Sequence, residues 1–164
     1  MRHVKLKELC PSLKLMKVFL PGARCDKILS EIVRLSARYS FENIIVHVEG
    51  NYIPHVYSDS ITSEVVSFLE TVNQLLPETK IAFSEILPKI DTSLLYGINN
   101  INKFVYEFCQ CNSMDFVRHR FFNKRRDGSI DGSLLCWDGT HLSYKGVDTM
   151  EKDLREYLLY NNKY

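Results

Sequence analysis

In the stretch CWDGTHLSYKG, Cys136 to Gly146, an acid and an imidazole stand three residues apart: Asp138 and His141. A histidine serves as a general base only when its tautomer and ring plane are fixed, usually by a carboxylate on Nδ1. A tight turn through Gly139 and Thr140 brings that carboxylate to the ring without a distant partner. Two further residues suit the same chemistry. Gly22, after Pro21, offers a bare backbone N–H at an expected strand end, and Asn51 offers a side-chain amide at the next one. Two such donors converging on a point make an oxyanion hole, in which each donor is worth about 3 kcal/mol of transition-state stabilisation. Each residue also has a plainer use. Gly22 and Asn51 fit ordinary turns, Asp138 fits the cap of a helix starting near Tyr144, and a single histidine is more often packed or solvated than catalytic. Their order along the chain is what favours chemistry.

The elements that must hold these residues alternate in type. Leu13 to Ala23 reads as a strand stopped by Pro21-Gly22, and Cys25 to Tyr39 as a helix with Asp26 in its first turn. NIIVHVEG, Asn43 to Gly50, is a β-branched run of the kind expected for a strand buried on both faces. Ser60 to Pro77 is the clearest helix, capped by Ser60 or Thr62, with Val65, Val66, Leu69, Val72 and Leu76 on its apolar face. KIAFSEILP and MDFVRH read as strands, and Ile98 to Cys109 and Asp148 to Tyr160 as helices. A β-α order repeated four times implies a three-layer α/β/α sandwich around a mostly parallel sheet, formed by one domain over residues 1–164. Ligands of such sheets bind beyond the carboxyl ends of the strands. The turns holding Gly22, Asn51 and Asp138 are expected at that edge.

Composition narrows the classes. The 164 residues are 45% hydrophobic and 25% charged, as in a globular chain, and the net charge of +1 gives no global pull toward nucleic acid or an anionic membrane. No apolar run is long enough to span a bilayer, and MRHVKLKELC is too polar for a signal peptide. Five irregularly spaced cysteines suggest reduced thiols in the cytoplasm or nucleus. Cys109 and Cys111 lack the second pair of a zinc site and read as thiols buried at a helix end, so neither metal nor cofactor is expected. One patch stands out. RHRFFNKRRDG interleaves Arg118, Arg120, Lys124, Arg125 and Arg126 with Phe121 and Phe122, as a single-stranded RNA site would. The plainer reading, a solvated loop with its phenylalanines packed inward, is preferred.

With these motifs in order, the chain resembles the SGNH (GDSL-type) esterase and lipase superfamily, whose blocks supply a Ser, a Gly, an Asn and an Asp-x-x-His. PGAR resembles the glycine block and VHVEGNY the asparagine block, usually His-Val-Gly-Thr-Asn-Asp. DGTHLSYKG resembles the last block, with Gly146 in its usual following place. FSEILPK and INNINKFVYEFC are similar to SGNH domains carried by retroelements, and the likeness runs from about Arg2 to Leu158. The resemblance implies catalytic Asp138 and His141, and oxyanion donors Gly22 and Asn51.

The departures shape the expected function. Glu49, Gly50 and Tyr52 replace the usual Gly, Thr and Asp, so a carboxylate lies beside the expected oxyanion hole and opposes charge development there. The Gly-Asp-Ser block, with the strand carrying it, is expected before a segment like MRHVKLKELCP, and no serine here takes its place. Ser12 lies beyond it, after Pro11. The expectation is therefore an SGNH-type, retroelement-derived ester-hydrolase domain lacking its first strand and inactive as this chain. Two other readings compete: an RNA-binding module on the same fold, and an interaction or homo-oligomerisation module using an open sheet edge. Nothing in the sequence points to a membrane partner.

Overall fold

The computed structural model describes residues 14–48, 58–122 and 130–161. The chain divides into two compact units, one made of Leu20–Ile86 and Ser93–Phe116, the other including Leu87–Thr92 and the chain from Val117 onward.

In the first unit, helix α1 (Cys25–Ser36) carries Asp26 in its first turn and Arg34 in its last, matching the helix dipole at both ends. Strand β1 (Asn43–His47) follows, then helix α2 (Ser58–Leu75). Ile61, Val65, Phe68, Leu69 and Val72 recur at helical spacing on α2 and are all buried. Ser60 and Thr62 lie inside this helix, so neither is its cap as the sequence suggested. Strand β2 (Lys80–Ser84) pairs with β1 in parallel, in a register running from Asn43↔Lys80 to His47↔Ser84. Helix α3 (Thr92–Cys111) begins six residues before the expected Ile98, and Ile98, Ile101, Val105 and Cys109 line its buried face. A reversal with Ser113 at φ 55° leads into β3 (Asp115–Val117).

The described sheet has the order β1-β2-β3. This is the α/β class expected, with two differences in detail. Residues 14–20 are irregular and form no strand. Met16, Val18 and Phe19 remain 40–47% exposed there, so the burial and ladder pairing that stabilise a strand are missing. β1 is likewise less enclosed than its composition suggested. It is an outer strand of the described sheet, and of its five residues only Val46 is buried.

Asn102 fixes the chain leaving β2. From the buried face of α3, its Oδ1 accepts from the Ile86 amide at 2.9 Å, and its Nδ2 donates to the Ile86 carbonyl at 2.8 Å. One side chain thus satisfies both backbone groups of a buried residue outside the ladder.

The second unit is built on helix α4 (Tyr144–Asn161), whose Val147, Met150, Leu154 and Leu158 are buried. A smaller apolar cluster joins Phe122, Leu134 and Leu135 to Leu87, Ile130 and Leu142. Gly146 lets the helix pass the short turn Gly132–Leu134 closely, because a Cβ there would lie 2.0 Å from the Leu134 carbonyl oxygen. No helix among the described residues is long and apolar enough to cross a membrane.

Candidate functional site

A narrow hairpin holds the acid–imidazole pair. Its arms are tied by Ser143 N–H donating to the Leu134 carbonyl at 3.0 Å and Cys136 N–H donating to the His141 carbonyl at 2.7 Å. Leu135 faces Leu142 across an antiparallel bridge, and both pack into the apolar cluster. At the tip, Gly139 N–H donates to the Cys136 carbonyl at 2.9 Å, closing a turn through Trp137 and Asp138. Gly139 has φ +66°, a conformation that suits glycine, and an added Cβ would press on Ile90 at 3.1 Å. The Gly139 carbonyl accepts from Ile90 N–H at 3.0 Å, anchoring the tip a second time.

Within that frame Asp138 uses both carboxylate oxygens. Oδ1 accepts from the Thr140 and His141 amides at 2.8 and 2.9 Å. Oδ2 lies 2.8 Å from His141 Nδ1. These bonds, the His141 and Thr140 amides first and the imidazole after them, hold the carboxyl down from 3.8 to about 2. An ionised acceptor on Nδ1 selects the tautomer with its proton on Nδ1, leaving the Nε2 lone pair available as a base. The His141 side chain is 63% exposed and that of Asp138 33% exposed, so the pair meets solvent. Asp138 does not cap α4. Ser143 has that role, its Oγ accepting from Gly146 N–H at 3.1 Å.

Beside the pair, Lys145 Nζ bonds Asp131 Oδ2 at 3.1 Å and Ser133 Oγ at 2.6 Å. Ser133 donates its hydroxyl and its amide to Asp131 Oδ1. A lysine paired with a carboxylate is a poor base for the Ser133 hydroxyl, so this cluster ties the turn to α4. Among the described residues, no serine hydroxyl bonds the Nε2 of His141.

The other expected site residues are placed less tightly. Gly22 belongs to the first unit and has φ +62°. Ala23 N–H donates to the Leu20 carbonyl at 3.2 Å, giving a turn with Pro21 and Gly22 at its centre. That accounts for the glycine without calling on an oxyanion. Asn51 lies outside the described residues, as do Glu49, Lys124, Arg125 and Arg126. Arg118 and Arg120 are exposed, but Phe122 is 1% exposed and cannot stack a base, as the inward-packed reading expected. Cys109 is buried while Cys111 is exposed, which corrects the expectation that both thiols are buried. No cluster suited to a metal occurs among the described residues.

Two polar pairs escaped the sequence reading. His119 Nδ1 lies 3.3 Å from Asp153 Oδ2, with side chains only 1% and 2% exposed. It is an acid–imidazole pair like the first, but 34 residues of separation hid it and burial shuts it off from substrate. Its one trace in the sequence is an acid set among the apolar positions of α4. His47 Nδ1 lies 2.9 Å from Ser84 Oγ where β1 and β2 end. Ser84 is wholly buried, so this pair closes the sheet end and presents no nucleophile.

No protein-family model matches the chain, and no curated protein matches it in sequence. Solved structures match its fold. A GDSL-like lipase from Bacteroides thetaiotaomicron superposes with a TM-score of 0.77 at 13% identity, over 96% of this chain and 82% of that one. A member of the lipolytic G-D-S-L family from Veillonella parvula gives 0.72 at 12% identity, over 94% and 86%. A variant of an acetyl-xylooligosaccharide esterase from Geobacillus gives 0.71 at 14% identity, over 92% and 75%. The chain therefore has the α/β fold of GDSL-type lipolytic hydrolases and esterases.

Proposed function

We propose that this chain is an SGNH-type ester-hydrolase domain, retroelement-derived, in which Asp138 and His141 are the acid and imidazole and Gly22 and Asn51 the oxyanion donors. By itself it turns over no ester, because among the described residues no serine hydroxyl bonds the Nε2 of His141. One observation carries this reading: an ionised carboxylate on Nδ1 of an imidazole whose ring is open to solvent. A histidine held this way can take a proton from a hydroxyl and return it to a leaving alcohol. The GDSL-like fold of the neighbours supports the assignment to ester chemistry.

The test has two parts. Nitrogen NMR of the neutral imidazole should show its proton on Nδ1, and Asp138→Ala should remove that preference. Short activated esters should be hydrolysed no faster than by buffer. Residual catalysis by such groups can reach roughly a thousandfold over water, so His141→Ala is the control. Robust turnover that vanishes in His141→Ala means a serine of this chain serves as nucleophile after all, and inactivity is then wrong. Loss of the tautomer preference in the parent chain removes the hydrolase reading itself.

A further inference from the structure

Trp137, immediately before the acid, is 99% exposed. It is the chain's one tryptophan, and it occupies a turn made stiff from several directions. Gly139 N–H closes that turn onto Cys136, Ile90 N–H holds the Gly139 carbonyl, and both oxygens of Asp138 are engaged. A large apolar ring standing in water on a fixed backbone has only two side-chain torsions to order, so a ligand covering it costs the protein little conformational entropy. Tyr144, 80% exposed, follows three residues after His141. Asp131 is matched by Lys145, and with the imidazole neutral the hairpin's one surplus charge is the Asp138 carboxylate, whose oxygens are taken up by two amides and His141 Nδ1.

We propose that Trp137 is a specificity-determining residue that stacks the flat, uncharged ring of an ester's alcohol portion and delivers the ester to His141. This deepens the hydrolase reading and rests on it. The ligand chemistry is a neutral ring that presents a face to the indole, either an aryl ring or the C–H face of a pyranose. A flexible alkyl chain gains less from a single rigid face, since it must be ordered along its whole length. An anionic ring is disfavoured by the ionised Asp138 carboxylate, and a cationic one finds that carboxylate already engaged by two amides and the imidazole.

The single tryptophan makes the test direct, because all indole emission comes from this position. Acetanilide and a mono-acetylated methyl pyranoside serve as the two ring probes and N-hexylacetamide as the alkyl probe, each titrated into the full chain. Expected is a saturable change in indole emission with at least one ring probe, and a much smaller one with the alkyl probe. Saturation-transfer NMR should show ring binding at least tenfold weaker in Trp137→Ala and largely kept in Trp137→Phe. The nitrogen signature of His141 should stay unchanged in both variants. Which ring probe binds tells aryl from glycosyl chemistry. Equal binding of the alkyl probe overturns the proposal, as does emission that changes with protein concentration alone, which marks a contact between copies. Absence of ring binding while the His141 signature is intact overturns it and leaves the hydrolase reading standing. If that signature is missing, both readings fall.

Discussion

Asp138 couples the hairpin to pH in a window that can be named. Its carboxyl is lowered from 3.8 to about 2 by the His141 and Thr140 amides and the imidazole, so it favours the folded hairpin while ionised. Sign follows from proton binding. Between pH 4 and 2 the unfolded chain takes up a proton that the folded one refuses, so this contribution is complete above about 4 and lost as pH falls through about 2. Amide proton shifts of Thr140 and His141 should therefore hold steady down to about pH 4 and move below it. Movement that is complete well above pH 4 would show that the Asp138 carboxyl does not control the turn. Cysteine reactivity gives a second check at this scale. Burial, with Asp115 nearby, pushes the Cys109 thiol up to about 11, and the thiolate is the reactive form. Cys111 is exposed. Iodoacetamide at pH 8 should label Cys111 in the folded chain and reach Cys109 only after unfolding, as peptide mass mapping would show.

Among the elements, α4 has the narrowest tolerance. A Cβ on Gly146 would lie 2.0 Å from the Leu134 oxygen, and that obstacle is backbone, which cannot rotate away. Gly146→Ala should cost about 3 kcal/mol in urea unfolding, at the upper end for overpacking, although alanine is the better helix former. A neutral or stabilising result would mean that α4 stands farther from the turn. Asn102 tests α3 in the same way. Replacing it with leucine keeps the bulk but leaves the Ile86 amide and carbonyl without their partner, a loss of about 2–4 kcal/mol. What was legible in the sequence follows from the same physics. Helical spacing on α2 and the β-branched run of β1 were readable because each depends on local pattern. The Asp138–His141 pair was readable because a three-residue turn makes it local. The Asn102 clasp and the buried His119–Asp153 pair depend on which elements meet, and neither spacing nor composition encodes that directly. Residues 14–20 misled for the opposite reason: their apolar pattern suits a strand, but a strand also needs a neighbour to pair with.

At the scale of the whole molecule, a net charge of +1 sets a limit on any contact with nucleic acid. Attraction must come from local cations, and the one dense group is Arg118, Arg120, Lys124, Arg125 and Arg126. Stacking by Phe122 cannot assist, because that ring is buried. Binding to single-stranded RNA through this stretch should then be largely electrostatic. With all five cations on phosphates, the logarithm of affinity would fall with the logarithm of salt at a slope of about −3.5, roughly a hundredfold loss between 50 and 200 mM. Any binding should be weak at 50 mM salt, indifferent to base sequence and unmeasurable at 200 mM, and no binding at 50 mM upholds the plainer reading of this stretch as a solvated surface. Arg125→Ala with Arg126→Ala should flatten the slope by about 1.4 if both touch phosphates. Fluorescence anisotropy with a labelled oligonucleotide, repeated across salt concentrations and two unrelated sequences, decides the matter. Tight binding that survives 200 mM salt and prefers one sequence would require base contacts from elsewhere on the chain. That result would give the fold a recognition function beside its acid–imidazole pair.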